Sequence, residues 1–330
     1  MRTITIFALA CLTAPQALLA QTAYTAPVGY LSLGNTAAAT DNVPANSDIV
    51  VSIPVLKSAA YAGQVASVTA TTVTVKGTPA FVVNTWTATP HVLVIENGAK
   101  SGMIVPITSN TADTLTVAVG SFSTTGILAD VNLSIRPAWT VQSFMSGASS
   151  LTGVQLYGFS NTQLGVNNSA SDLYFYVGGG NWEDGDGASA NNVILYPGEG
   201  FIVRTASTPI ADFVISGEVP MAASYVAIGE RSGGARDTFF SYMSPTSEPL
   251  ASSGIGVSTG DMLIDYNNTA AGKNKSGTPY FYVGGGNWED GDGGSANTFP
   301  LQGGKAYVFR RAAASANQYV ISKDQQSYNP

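Results

Sequence analysis

Hydrophobic and polar residues alternate with a period of two over much of the segment 21–137. Val65 to Ala70, Thr72 to Lys76 and Thr114 to Val119 all show this alternation, which is typical of strands with one buried face. The segment has no apolar stripe at helical spacing. The pattern therefore predicts a small antiparallel barrel or sandwich over 21–137, with roughly six to eight strands.

One hairpin within this segment is indicated by its turn. The apolar run Leu93 to Ile95 leads into Asn97-Gly98, a pair that tolerates positive φ angles. Met103 to Ile107 then supplies a return strand. We expect the two apolar runs to pair as neighbours.

A stretch of fourteen residues occurs twice without a change. The sequence YFYVGGGNWEDGDG runs from Tyr174 to Gly187 and again from Tyr280 to Gly293. Because the flanking segments also align, the pattern predicts an internal duplication, with copies at about 152–216 and 259–322. We therefore expect a duplicated antiparallel β-domain over 138–330, and an all-β protein.

The two copies have diverged unevenly around this motif. Seven of the nineteen positions in 188–206 match their counterparts in 294–312. A duplication that was merely recent would leave the flanks as similar as the centre. The motif is therefore held more tightly than the strands beside it, and this constraint is the main indication of function in the sequence.

Composition narrows the class of protein. Charged residues make up 11% of the chain, against about 25% in ordinary soluble proteins. Thr, Ser, Asn, Gly and Ala must then cover much of the surface, as they do in many exported β-proteins. The net charge is −7 and the pI is near 4.6, and no basic stripe offsets this charge, so nucleic acid is not expected as a partner.

Residues 1–20 have the pattern of a secretory signal peptide. The apolar run Ile4 to Leu12 follows a positive start, and Leu18-Leu19-Ala20 forms a small-residue cleavage site. Pro15 interrupts the run before it reaches the roughly 20 residues that span a bilayer, so no transmembrane segment is expected. The only cysteine, Cys11, lies in this segment, which leaves no thiol after cleavage. The predicted location is secreted, extracellular or at the cell surface.

A set of short features accompanies the signal segment: Ile135-Arg136-Pro137-Ala138-Trp139, Asn-Asn-Ser at 167–169, Asn-Lys-Ser at 274–276, the YFY strand that runs into GGNW, and PGEGFIVR at 197–204. In these features the chain resembles a family of exported, paralogous bacterial all-β proteins, over nearly its whole mature length. The resemblance implies export and β-structure, and it supplies no catalytic residue. The second copy departs from the pattern, because Gly303-Gly304-Lys305-Ala306 stands where PGEG would be.

Each motif also concentrates oxygen-bearing side chains beside glycines that let the chain curl around a cation. These side chains are Asn181, Glu183, Asp184 and Asp186 in the first motif and Asn287, Glu289, Asp290 and Asp292 in the second. Calcium takes about six to eight oxygen ligands, so each loop is a candidate calcium site, and calcium is the one cofactor that the sequence suggests. The alternative is a structural loop, in which Asp side chains bond backbone amides and the tryptophan pins the loop to its sheet.

The role of Trp182 and Trp288 has two possible interpretations. A solvent-facing indole beside carboxylates and amides is a common platform for sugar binding. A buried indole under a glycine-rich loop is a packing element instead. Exposure of the two rings separates these readings.

Enzymatic chemistry finds little support in the sequence. His91 is the only histidine and no nucleophile-elbow sequence is present, which argues against a Ser-His-Asp arrangement. Asp184 with Asp186 or Glu183 could form the carboxylate pair of a glycoside hydrolase. Their occurrence in two identical loops argues against this, because the acid and the base need different surroundings.

The sequence thus predicts an exported, non-catalytic structural or interaction protein of the cell surface or extracellular material. Its expected partner is another copy of itself or a surface polysaccharide or similar polymer, since low charge and open β-edges favour such contacts. The main alternative is a calcium-assisted glycan-binding protein or adhesin. A glycoside hydrolase is the third reading.

Overall fold

The computed structural model of the protein describes residues 27–33, 43–118, 124–159, 165–167, 169–211, 213–221, 224–228, 236–243, 247–255, 258–312 and 319–323. This part of the chain is all-β, which confirms the predicted fold class. The predicted signal segment, 1–20, lies outside the described residues.

The strands of the described residues are, in chain order, β1 (Val28–Ser32), β2 (Asp48–Ser52), β3 (Tyr61–Val68), β4 (Thr72–Val75), β5 (His91–Ile95), β6 (Ile104–Asn110), β7 (Thr114–Val117), β8 (Asn132–Pro137), β9 (Gln155–Gly158), β10 (Asp172–Gly178), β11 (Asn181–Asp184), β12 (Gly200–Arg204), β13 (Val214–Glu218), β14 (Ser224–Ile228), β15 (Asp237–Ser241), β16 (Glu248–Pro249), β17 (Met262–Asp265), β18 (Thr278–Gly284), β19 (Asn287–Glu289), β20 (Pro300–Leu301), β21 (Ala306–Arg310) and β22 (Tyr319–Lys323). The helices are single turns, α1 (Thr85–Ala88), α2 (Val141–Met145) and a 3-10 turn at Leu250–Ser252. None of the helices in these ranges has the length and apolar character needed to cross a membrane.

Six strands form a closed antiparallel barrel in the order β3-β4-β7-β6-β5-β8. The alternation over 72–76 and from Thr114 onward places Val73 and Leu115 inside, and both are completely buried. Val65 is also completely buried, but the register of β3 shifts just after it. Closure pairs β8 with β3 and leaves the barrel without a free edge. The predicted small barrel is therefore confirmed.

The expected hairpin joins β5 and β6, which pair as Leu93 with Val105. Its connection is longer than a two-residue turn. The Asn97 side chain accepts a hydrogen bond from the Asn132 backbone N–H at 2.7 Å, so it caps the neighbouring strand β8. Gly98 lies at φ 80°, and the chain turns back only at Gly102, whose N–H donates to Ile95 O at 2.7 Å.

Two further five-stranded antiparallel sheets have matching strand orders. The first sheet runs β11-β10-β9-β12-β2 and the second sheet runs β19-β18-β17-β21-β15. The two motifs occupy equivalent places in them, as the outer hairpins β10–β11 and β18–β19. Each sheet has its own apolar core, and each core contains one motif tryptophan, Trp182 or Trp288.

The predicted N-terminal domain, 21–137, needs a correction in its membership. β1 pairs with β13, and β2 pairs with β12 inside the first sheet. Only Tyr61–Pro137 form the barrel, which is inserted in the chain between β2 and β9. The pairing of Asp48 with Arg204 spans 156 residues, and alternation along a strand does not specify so distant a partner.

The two sheets meet through β2, β12, β15 and β21, on the side away from the motif hairpins. Ser52, the last residue of β2, donates a hydrogen bond from Oγ to Oγ of Ser241, the last residue of β15, at 2.6 Å. Ser52 N–H also donates to Gly304 O at 3.0 Å, while Ser241 N–H donates to Gly198 O at 2.9 Å. The junction is thus nearly two-fold symmetric.

The same symmetry places a loop of each sheet on the other. In the first sheet, Asp48 pairs with Arg204 at 2.6 Å and accepts a hydrogen bond from the N–H of Asn274, a second-sheet residue, at 2.7 Å. In the second sheet, Asp237 pairs with Arg310 at 2.7 Å and accepts from the N–H of Asn167, a first-sheet residue, at 2.8 Å. Each asparagine side chain also accepts a hydrogen bond from the other sheet's arginine.

Candidate functional site

Each motif is a hairpin with a glycine turn. Gly178, Gly179 and Gly180 have φ angles of 102°, 60° and 80°, and the second motif repeats these values within a few degrees. Three successive positive φ angles are accessible only to glycine without strain. The backbone N–H of Gly180 donates to the Tyr176 hydroxyl at 3.1 Å, so the aromatic strand fixes the turn that follows it.

The tryptophans lie beneath the hairpins. Trp182 is 1% exposed and Trp288 is 2% exposed. Each ring packs beside the second tyrosine of its own motif, with ring centroids 5.5 Å apart for Trp182 and Tyr176. The sugar-platform reading is therefore wrong for both indoles, because neither ring offers a face to solvent.

In each copy, an asparagine of the motif and a second asparagine that follows the motif complete this anchoring. The Asn191 side chain accepts from the backbone N–H of Trp182 at 2.7 Å and donates to Asn181 Oδ1 at 3.0 Å. Asn297 makes the same two bonds, at 2.7 Å to the Trp288 N–H and at 3.0 Å to Asn287. The amide groups of Asn181 and Asn287 are thus used to hold the loops together.

Asp184 closes the second turn of the motif. Its Oδ1 accepts hydrogen bonds from the backbone N–H groups of Asp186 at 3.0 Å and Ala188 at 2.8 Å. Asp290 repeats both bonds, at 3.0 Å and 2.7 Å. These are the backbone-capping roles that the structural reading of the loops predicts.

Calcium binding by the two motif loops stays a prediction. Within the described residues, which include both complete motifs, no group of three or more Asp, Glu, His or Cys side chains is arranged to share a metal ion. In the first motif the carboxylates left without a described partner are those of Glu183 and Asp186. An ion held there would need backbone carbonyls or water for most of its ligands.

A few motif residues are not explained by the fold. Val177 is 50% exposed and Val283 is 40% exposed, each at the irregularity where the hairpin register shifts. Asp186 and Asp292 are also exposed, and only their backbone N–H groups are bonded. A side chain added at Gly185 would meet no atom within 4 Å. These positions are identical in the two motifs although nothing described in the structure requires them to be.

The structure also reveals a pocket of about 410 Å³ in the first sheet, which the sequence did not indicate. Its wall is formed by residues of β9, β10 and β12, by the segment 193–196 and by Glu199, and it includes the rings of Phe159, Tyr174 and Phe201. Glu199 is its partly buried carboxyl group, and burial raises the pKa of Glu199 to about 7. Burial, with the nearby charges of Asp172 and Asp184, raises the pKa of Tyr174 to about 12.

The equivalent place in the second sheet has different charges. Lys305 stands where the first sheet has Glu199, and Asp265 stands where it has Gly158. Lys305 Nζ lies 2.5 Å from Asp265 Oδ1 and 5.6 Å from the ring centroid of Tyr307. The second sheet therefore contains its own ammonium–carboxylate pair against an aromatic ring.

The raised pKa of Glu199 predicts a pH-dependent cost. Burial makes the ionised carboxyl unfavourable in the folded state, so the contribution of Glu199 to stability is fully present below the ordinary pKa near 4.5, where the group is protonated. This contribution is lost as the pH rises through about 7. Glu199→Gln should therefore raise the free energy of unfolding by about 3 kcal/mol at about pH 9, and by little at about pH 4. Urea unfolding at the two pH values measures this difference. An equal effect at both would show that Glu199 titrates normally.

A second cleft, of about 560 Å³, lies between the two sheets. Of its charged groups, Asp48, Arg204 and Asp237 belong to the ion pairs at the junction, and the Lys275 ammonium donates to Asn267 O and Ala270 O. Phe159 and Phe239 stack within it at 3.8 Å between ring centroids. The cleft thus has the character of a packed joint. In the sequence, this joint is indicated by the equal spacing of Asp48 and Ser52 in one sheet and of Asp237 and Ser241 in the other. Two matching residues are too few to predict a joint from the sequence alone.

His91 has a structural environment. It is 9% exposed, its Nδ1 lies 2.6 Å from Thr89 O, and its ring packs 5.0 Å from Trp86. No hydroxyl or carboxylate among the described residues is hydrogen-bonded to it.

Comparison with protein-family models, with curated proteins and with solved structures found no match. The function is therefore inferred from the residues and their geometry.

Proposed function

We propose that the protein is an exported, non-catalytic interaction protein of the cell surface or extracellular material, built on an internal duplication that presents one binding surface twice. Each copy of this motif surface consists of the exposed valine and the two unbonded carboxylates along the outer hairpin of a sheet. The residues are Val177, Glu183 and Asp186 in the first copy and Val283, Glu289 and Asp292 in the second. The proposed partner is a surface polymer or another copy of the chain.

The observation that carries this proposal is identity beyond what the fold requires. Burial explains the tryptophans, backbone capping explains Asp184 and Asp290, and positive φ angles explain the triple glycines. An exposed valine and a solvated aspartate are positions where substitutions usually change stability by less than about 0.5 kcal/mol. Their retention in both motifs, beside flanks that have diverged, supports a role in contact with something outside the chain.

The placement of the two motif surfaces supports bivalent binding. The sheets join through their inner strands, so the hairpins β10–β11 and β18–β19 lie at the outer edges. A polymer with repeating units, or an array of identical chains, can engage both surfaces. Two linked sites raise the apparent affinity by about 10²–10⁴ over one when both can bind together.

A second exposed apolar pair supports self-association. Val28 is 74% exposed and Tyr30 is 82% exposed on β1, a strand whose described partner is β13 alone. An apolar strand with an unpaired side is a common docking edge for another β-protein. Low surface charge leaves little repulsion to oppose such contacts.

The test measures retention of the mature protein on isolated cell-envelope material. Glu183→Gln with Asp186→Asn removes the charges of one motif surface, and Glu289→Gln with Asp292→Asn removes those of the other. Altering one surface should weaken retention at least about tenfold, and altering both should abolish it. Asp130→Asn on the barrel removes an exposed charge elsewhere and should bind as the wild type does.

The outcomes separate the readings. Unchanged retention of the variant that carries all four substitutions would contradict binding through the motif surfaces. An intact mass that still includes Met1 to Ala20 would contradict export. Concentration-dependent light scattering without retention on envelope material would assign self-association as the function. Retention on polysaccharide that a chelator abolishes would favour the calcium-assisted glycan-binding alternative.

A further inference from the structure

The pocket beside β9, β10 and β12 combines aromatic walls with one acidic group on a fixed backbone. The chain at Glu199 is held from two sides. Its N–H donates to Tyr196 O at 3.1 Å, and the neighbouring Gly198 carbonyl accepts from the Ser241 N–H at 2.9 Å. The two sheets also approach closely at Gly200, because a side chain there would collide with Ala306 of the second sheet at 2.6 Å. Glu199 thus lies on a turn clamped between the two sheets.

No described residue forms an ion pair or hydrogen bond with the Glu199 carboxyl group. The six ion pairs in which both partners are described residues involve other acids. A further acid, Asp172, lines the same pocket, so the described charges there are negative. A carboxylate in apolar surroundings without a cation is costly, and a bound cation would relieve this cost.

The second sheet shows how the same fold accommodates a cation at this place. There the Lys305 ammonium pairs with Asp265 at 2.5 Å and lies 5.6 Å from the Tyr307 ring centroid. Tyr307 corresponds in sequence to Phe201, which lines the first-sheet pocket. In the first sheet Glu199 stands at the place of Lys305 and Gly158 at the place of Asp265, so the charge there is reversed and neither position supplies a lysine to pair with the Glu199 carboxylate.

We propose that the Glu199 pocket of the first sheet binds a primary ammonium group that carries an apolar chain. The ammonium would pair with Glu199 and lie against the aromatic walls, and the apolar chain would fill the space between Phe159 and Phe201. A pocket of about 410 Å³ is within the range of small-ligand sites. Aromatic rings attract cations through their negatively charged faces. Free alkylamines and lysine side chains of other proteins share this chemistry.

Calorimetric titration of the mature protein with butylamine tests the proposal. One site per chain is expected. 1-Butanol, with the same chain and no charge, should bind at least about tenfold more weakly, since hydrogen bonds to charged groups are among the strongest. Nα-acetyl-lysine amide presents the ammonium only as a lysine side chain, so its affinity relative to butylamine distinguishes a peptide partner from a free amine.

The decisive variant is Glu199→Gln, which keeps the shape of the side chain and removes its charge. It should weaken butylamine binding at least about tenfold without lowering the melting temperature. Asp130→Asn removes one carboxylate from the barrel and should leave binding unchanged. Wild-type binding should also be weaker about one pH unit below the pKa of Glu199 than one unit above it. The other titratable groups that line the pocket are Asp172, Tyr174 and Tyr196.

Several results would overturn the proposal. These are the absence of butylamine binding to the wild type, equal binding of butanol, or unchanged binding in Glu199→Gln. None of them bears on the motif surfaces, because Val177, Glu183 and Asp186 do not line this pocket. Loss of envelope retention with intact amine binding, or the reverse, therefore identifies which proposal has failed.

Discussion

Replacing Trp182 by alanine is expected to lower the free energy of unfolding by about 3–5 kcal/mol. The indole is 1% exposed and belongs to the apolar core of the first sheet. Its removal leaves a cavity under the glycine turn and takes away the ring against which Tyr176 packs at 5.5 Å. Trp288→Ala should cost a similar amount in the second sheet. Urea unfolding followed by tyrosine fluorescence measures both.

Val177→Ala is the matched control for this prediction. It alters the same motif at a 50% exposed position and should change stability by less than about 0.5 kcal/mol. A loss below about 1 kcal/mol in both tryptophan variants would show that the indoles do not anchor the loops.

Thermal melting with calcium and with chelator supplies an independent test of whether the loops bind an ion. Bound calcium would add about 2.7 kcal/mol per site at a hundredfold excess over Kd, whereas structural loops melt identically in both.

The sequence predicts local structure in the barrel well, because three of its strand pairs, β3–β4, β5–β6 and β6–β7, are hairpins between strands adjacent in sequence. Alternation from Thr72 to Lys76 specifies which side chains point inward, and it places Val73 and Val75 in the core. Turn chemistry adds the pairing of β5 with β6. Both signals act over a few residues, so they can be read without knowing the rest of the fold.

The membership of the first sheet could not be predicted in the same way. β2 reads as an apolar strand, but its partner β12 follows the whole barrel in the chain. The link between Asp48 and Asp237 becomes visible only when both are seen beside Arg204 and Arg310. Register between distant strands is decided by burial of whole faces, which the local pattern does not contain.

The sequence predicts where the motif lies, but the solvent-facing alternative that it offers for Trp182 and Trp288 is wrong. The repeated sequence draws attention to Asp184 and Trp182, but exposure of the indole depends on what packs above and below the hairpin. The Glu199 pocket shows the same limit. The replacement of PGEG by GGKA is visible in the sequence, yet its meaning requires knowing that Lys305 lies 2.5 Å from Asp265.

The junction between the sheets gives the other large expected effect. Asp48→Ala should lower the free energy of unfolding by about 3–5 kcal/mol, because it leaves the Arg204 guanidinium in the junction without its counter-charge. The Asp48 side chain is 8% exposed and accepts hydrogen bonds from Arg204 and from the N–H of Asn274. Asp237→Ala should have a similar effect through Arg310. Lys76→Ala, which breaks a pair exposed by more than half, should cost no more than about 1 kcal/mol.

Acid titration adds a second measurement of the same contact. Burial alone would raise the pKa of Asp48, but hydrogen bonds from Arg204 and from the Asn274 N–H outweigh it and hold the pKa below 3.8. The stabilisation is therefore present above the ordinary pKa and is lost as the pH falls through the lowered one. The wild type should lose its advantage in stability over Asp48→Ala in that acidic range.

Because the Asn274 loop of the second sheet bonds Asp48 in the first, hydrogen exchange should also be faster at the N–H of Asn274 in the variant, while barrel amides stay protected. Unchanged protection at Asn274 would mean that the two sheets are held together by other contacts.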